Sequence, residues 1–237
     1  MEWWKIGVGI WLTAVFAVAL SFPIVPEPKH WYEFPVIPGL EERARIIFFH
    51  VPVAWTTVVA FLVALWNGVK YLRTMDLEAD AASSNSAGLG LLFAVLATVT
   101  GSIWARFSWG SFWNWDPRET SIFVLLLIYG AYFALRSAIE SEERRARLSA
   151  VYAIIAGVTA PFFVFIMPRI MTGLHPGSRG DVQGSGPVVQ FHMAPNMLLV
   201  FFAALIGFTV LFAWMMEIRL RTSRLELHFM NADSEQS

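Results

Sequence analysis

Two kinds of residue in this sequence could do chemistry: a set of histidines and one tryptophan-rich run. His50 stands in "IIFFHVPVAW", His175 in "TGLHPGS" and His192 in "VQFHMAP"; His30 and His228 complete the five. A neutral imidazole can give one ring nitrogen to a metal while the other makes a hydrogen bond. A single histidine near a membrane surface is ordinarily a hydrogen-bonded surface group, so a pair is needed to carry a ligand argument. Two imidazoles facing each other could clamp a haem iron axially. His50 and His175 are the first candidates and His192 is a rival to either. His30 lies in a polar, proline-flanked loop and His228 in the polar C-terminal tail, which makes both weaker candidates. A zinc site has little support, because the chain lacks cysteine and any H-x₃-H or H-E-x-x-H spacing.

The run is "WGSFWNWDPRET", Trp109 to Thr120. Its second half reads as a helix start: Asp116 as N-cap, Pro117 at the first helical position and Glu119 closing an Asp-x-x-Glu capping box. Its first half holds three tryptophans in seven residues, Trp109, Trp113 and Trp115. An interfacial aromatic belt explains one of them. A platform of indole rings stacked on a flat ligand explains the density, and both readings stand. A helical loop would put Trp109, Trp113 and Asp116 on one face, at i, i+4 and i+7, with Trp115 elsewhere. Gly110 would let a flat ligand or another backbone approach. Arg118, with Arg45, Arg169 or Arg179, could pair with propionate carboxylates through bidentate hydrogen bonds.

These residues need elements to position them. The chain is 237 residues, 57% hydrophobic and 15% charged, against about 45–50% and about 25% for a soluble domain. With a net charge of −1 it has no basic surface for nucleic acid. Zero cysteines exclude disulfides, thiol nucleophiles and the C-x-x-C-H haem-attachment sequence. A spanning helix needs about 20 mostly apolar residues, and six segments qualify, near 4–25, 46–69, 86–107, 120–139, 149–171 and 194–216. The fold class is therefore all-α: one polytopic membrane domain over 1–237 with six transmembrane helices. The first segment has no clear small-x-small cleavage site and is kept as a span rather than a signal peptide.

Six spans put both termini on one side. The clusters "ERRAR" and "RLRTSR" beside span ends choose the inner side for the termini, N-in and C-in. The outer loops are then roughly 26–45, 108–119 and 172–193. They hold the aromatic run, the proline-rich "PIVPEPKHWYEFPVIPG" and the glycine-rich "TGLHPGSRGDVQGSGP". His50 falls about one turn inside the outer end of the second span. Pro52 beside it is expected to distort the helix. Parity puts His50 and His175 at similar depth on one face. No carboxylate falls well inside a predicted span, which argues against a proton relay.

"WGSFWNWDPRET" resembles the tryptophan-rich signature W-G-x-x-W-x-W-D of haem-handling proteins of cytochrome c maturation. "RIIFFHVPVAW" and "TGLHPGS" are similar to the two histidine segments of the haem exporter protein C family (CcmC), and the resemblance covers nearly the whole chain. One departure is that family members often read Asp-x-Arg-Leu-Thr after the signature, where this chain has Asp116-Pro117-Arg118-Glu119-Thr120. That Pro and Glu resemble the related synthase branch (CcsA and CcmF), whose members are longer and carry more histidines. The resemblance implies haem b bound at the outer, periplasmic face of the cytoplasmic membrane. The axial ligands would be His50 and His175. Trp109, Gly110, Trp113, Trp115 and Asp116 would contact the macrocycle, with Arg118 nearby. It implies delivery of haem to the periplasmic chaperone CcmE, in association with CcmA, CcmB and the small protein CcmD, and no catalysis in the strict sense. Two ligands from separate loops would form a clamp that opens when the loop carrying His175 moves. The other function classes are a synthase-type haem lyase, expected to need more spans and a second histidine pair, and a permease or scaffold, for which His50 and His175 would be dispensable.

Overall fold

The computed structural model describes residues 3–175, 178 and 193–236, with side chains up to 225. His192, Arg179, most of the glycine-rich outer segment and the His228 side chain lie outside the described residues. Six helices are long and apolar enough to cross a membrane, as the composition requires. In chain order the elements are α1 (Trp3–Ser21), β1 (Ile24–Val25), β2 (Phe34–Pro35), a 3-10 segment (Glu41–Phe48) and α2 (His50–Thr74). Then follow α3 (Leu77–Trp109), α4 (Pro117–Ala138), α5 (Glu142–Pro161), a π-helical segment (Phe162–Ile166), α6 (Met167–Ile170) and α7 (Pro195–Gln236).

The centre of the bundle is α2. On one side α2, α3, α4 and α5 enclose Phe61, Leu125, Tyr129 and Tyr132, and the Phe61 ring lies flat on Tyr129 at 3.5 Å. Ala64, Ala153, Ala156 and Ala160 let these backbones approach. Small residues serve this purpose in a bilayer, where lipid removes the hydrophobic drive between helices. On the other side α1, the 3-10 segment and α7 bury Phe34, Phe48, Met197 and Phe201. α1 is tied to α7 by Trp11 Nε1, which donates to the Ala203 carbonyl at 2.9 Å.

Several boundaries differ from the sequence expectation, each for a local reason. α3 starts at Leu77, not near 86. Asp76 caps it, accepting from the Glu78 amide at 2.9 Å. The polar run that hid its first turns is satisfied inside the bundle, where Ser83 and Ser86 donate to the carbonyls of Ala64 and Ala60, each at 2.8 Å. The extension brings Asp80 into a span, 6% exposed and joined in a bidentate pair to Arg136 at 2.7 and 2.8 Å. Asp80 stands in the first turn of α3, ahead of the span expected near 86–107, and is tolerated there because Arg136 neutralises it and fills its lone pairs. The expected distortion at Pro52 is replaced by a change of helix type before it. The 3-10 segment ends at Phe48, α2 begins at His50, and Pro52 falls in its first turn, where a missing N–H costs nothing.

The described parts of the loops expected on the outer side gather at one end of the bundle. β1 and β2 pair in parallel, Ile24 with Phe34 and Val25 with Pro35. Arg45 donates to the Ala19 carbonyl at 2.6 Å, and Trp104 Nε1 of α3 donates to the Arg43 carbonyl at 3.0 Å. These bonds hold the entry to α2 against the C-terminal ends of α1 and α3, which fixes where His50 stands.

Candidate functional site

His50 is the first residue of α2, with its ring against α3. Gly101 of α3 makes room for it, since a Cβ there would stand 2.9 Å from His50 Cε1. Thr100 sets the tautomer. Its hydroxyl donates to the Leu96 carbonyl at 2.8 Å, so it has a lone pair but no proton to offer His50 Nδ1 at 3.1 Å. His50 Nδ1–H is therefore the donor, and Nε2 keeps its lone pair.

His175 is set the same way by a stronger partner. Its Nδ1–H donates to Asp116 Oδ1 at 2.6 Å. The same carboxylate accepts from the Arg118 amide at 2.9 Å, as the cap of α4, and from the Leu174 amide at 2.6 Å. Burial raises the Asp116 pKa, but the His175 bond and the two amides outweigh it and hold the group down at about 2. The anchor is thus ionised at neutral pH and again leaves a lone pair on Nε2. Gly173 is what lets the segment carrying His175 come this close: a Cβ there would lie 2.6 Å from Asp116 Oδ2 and 2.9 Å from Pro117 Cδ.

The two imidazoles line one cavity between α2, α3, α4 and the π-helical segment. Ala54, Ala97, Phe163 and Val164 give it apolar walls, and Trp113, Arg118 and Glu119 also line it. The π-helical stretch lies between Pro161 and Pro168, two residues without an N–H, and π turns inside α-helices are frequent at functional sites. Arg118 Nε is buried with no hydrogen-bond partner. Free space amounts to about 100 Å³, less than a porphyrin occupies, so the walls must part on loading or the ligand must project through the rim.

Not all the expected site residues converge. The segment after Trp109 is not helical, so Trp109, Trp113 and Asp116 do not share a helix face. Gly110 ends α3 at φ +83°, and nothing lies within 4 Å of where its Cβ would be. Its requirement is the left-handed turn, not a close approach. Trp109 packs on the ligand candidate itself, its ring 4.7 Å from His175 and 4.9 Å from Trp104. Trp113 faces the cavity, while Trp115 is 69% exposed and meets the edges of Trp113 and Phe123. Of the arginines, Arg118 alone lines the cavity among the described residues. Arg45 is bound to Ala19 and Glu42, and Arg169 donates to the Phe165 carbonyl.

Sequence reasoning missed Thr100, Gly101 and Gly173, and it gave Asp116 only half its role. A carboxylate or hydroxyl that orients a ligand histidine can be sought in a sequence, but Asp116 and His175 are 59 positions apart and only the fold pairs them.

Fold and site together define a multi-pass membrane protein with a cavity between two imidazoles whose Nε2 lone pairs are free. The profile of a protein family described as "Heme exporter protein C" matches residues 11–234. Relatives under that name share 28% identity in Rhodobacter capsulatus, over 79% of this chain and 76% of the relative. The figures are 30% in Paracoccus denitrificans, over 75% and 72%, and 32% in Escherichia coli K12, over 75% and 69%. The chain belongs to the haem exporter protein C family.

Proposed function

We propose that this protein binds haem b between His50 and His175 at the periplasmic face of the cytoplasmic membrane and delivers it to the chaperone CcmE during c-type cytochrome maturation. The observation that carries the reading is that Thr100 and Asp116 commit both Nδ1 atoms, so that two Nε2 donors are available to one cavity. His50 and His175 would hold the haem iron through their Nε2 lone pairs, and Ala54, Ala97, Phe163 and Val164 would supply the dry wall. The donor set suits it: two neutral imidazoles, apolar sides, and a buried Arg118 Nε that lacks the acceptor a propionate would bring. Trp109 braces the His175 ring, and Asp116 fixes that imidazole's orientation and tautomer.

In this reading the protein holds and releases its cargo without catalysis of its own, in company with CcmA, CcmB and CcmD. Sidedness follows from the positive clusters: the end carrying the cavity faces outward. The synthase reading draws on Pro117 and Glu119. Both are accounted for locally as part of the α4 cap.

The test is the visible spectrum of the detergent-solubilised protein from haem-replete cells. Low-spin bands are expected from the unsubstituted protein and their loss from His50→Ala and from His175→Ala. A colourless preparation, or bands unchanged in both variants, contradicts the reading; the second result moves attention to His192.

A further inference from the structure

Glu119 is placed to do more than close a cap. Its Oε2 accepts from the amides of Asn114 at 2.7 Å and Asp116 at 3.2 Å, the two that flank Trp115. Trp115 stands at φ +55°, a left-handed conformation that bulky L-residues rarely adopt. Turning that one residue aims both flanking amides at a single acceptor. The seven residues from Gly110 to Asp116 are thereby folded back, and Trp113, in the middle, is directed to the cavity. Glu119 is 8% exposed and itself lines the cavity. Its other oxygen, Oε1, is buried without a partner. The two amide bonds to Oε2 are what fix the side chain in the wall.

A capping box needs only the bond to the N-cap amide. The bond to Asn114, two residues further out, lies beyond that motif and is the shorter of the two. A strained backbone at one residue persists only where its surroundings over-determine it, and such residues cluster at ligand sites. Thr120 adds a bond to the Trp115 carbonyl at 3.3 Å, but no other side chain in the described structure reaches the amides of 114 and 116.

We propose that Glu119 is a positioning residue of the haem site: by accepting both amides around Trp115 it fixes the tryptophan-rich loop and so seats Trp113 as a wall of the cavity. This rests on the haem reading, and the experiment separates the two. Glutamine retains a carbonyl oxygen at the same reach and can accept both amides. Leucine fills the space without an acceptor, and aspartate keeps the charge but falls one methylene short.

Hydrogen exchange of residues 110–120 in haem-free protein reads the loop without reference to haem. Titration with ferric haem, followed by the low-spin spectrum, reads the site. Glu119→Leu is expected to raise loop exchange and weaken haem binding about tenfold, the scale on which loss of a buried hydrogen-bond acceptor acts. The haem that does bind should retain its bis-histidine bands. Glu119→Gln is expected to match the unsubstituted protein in both measurements. If Glu119→Leu does not fold, Glu119→Asp takes its place with the same expected losses. Unchanged exchange and binding in the leucine or aspartate variant, or equal losses in the glutamine variant, would overturn the proposal. Faster loop exchange in Glu119→Leu, together with an unsubstituted protein that binds no haem, would sustain the loop role while refuting the functional reading.

Discussion

Asp116 concentrates the site's design in one side chain. It caps α4, receives the Leu174 amide, and holds the His175 imidazole at 2.6 Å. Replacing it with Ala removes all three at once. About 1–3 kcal/mol of stability should go, the usual cost of losing a cap and a buried acceptor. Haem affinity should fall about 10–100-fold, the usual effect of deleting a residue that orients a metal ligand. Asp116→Asn separates these effects, because it can still cap but cannot hold the imidazole with a charge. The expected outcome is near-normal thermal stability with weakened haem binding and a raised midpoint potential, read by a redox titration. The folded pKa of Asp116 lies below the ordinary carboxyl value, so its contribution is present at neutral pH and is lost only as pH falls through about 2. At this scale the sequence was legible where chemistry is local. His50, His175 and Arg118 stood out by residue type, and the structure brings them to one cavity. The Asp116–His175 pairing and the glycine clearances at Gly101 and Gly173 were not legible, because each depends on a second helix arriving at a defined distance.

Helices and their ends explain which of the tryptophans face the cavity. α3 runs to Trp109 and stops at Gly110 in the left-handed turn, so the helical face drawn through Trp109, Trp113 and Asp116 does not form. Trp109 packs on His175 and Trp113 turns to the cavity. A periodicity argument cannot foresee a break whose signal is one glycine in a glycine-tolerant motif. The opposite error occurred at the start of α3, where Ser83 fell ahead of the expected span but bonds to the Ala64 carbonyl of α2. Because α3 carries both Thr100 and Gly101, its contact with the start of α2 orients His50. Gly101→Ala should force the imidazole away, since the added Cβ would lie 2.9 Å from its ring. The expected result is loss of low-spin haem with little change in helix content by circular dichroism. Retention of normal bands would show that the ring can shift without losing its ligand geometry.

Across the whole molecule, the two ends of the bundle do different work. One end holds the cavity, while near the other end Asp80 and Arg136 lock α3 to α4. Asp80→Ala leaves a buried guanidinium uncompensated and should cost about 3–5 kcal/mol. Thermal denaturation should register that loss while the spectrum of the folded, haem-loaded fraction stays unchanged. Sidedness is testable on a chain without cysteine, because any introduced thiol is the only one. A membrane-impermeant maleimide should label Glu27→Cys in intact spheroplasts and should label Glu140→Cys only after the membrane is opened. The six-helix architecture was legible from composition and span length alone, since lipid admits few alternatives. The short parallel pairing of β1 and β2 was not, because two residues a strand leave no periodic signal.

The central claim is that His50 and His175 ligate the same haem iron. Replacing each with Gly in turn, then adding imidazole to the purified protein, tests ligation apart from folding. Each single variant should lose its low-spin bands and regain them with added imidazole, and the double variant should regain them only at higher imidazole. Low-spin bands that persist in either glycine variant without imidazole would contradict the claim.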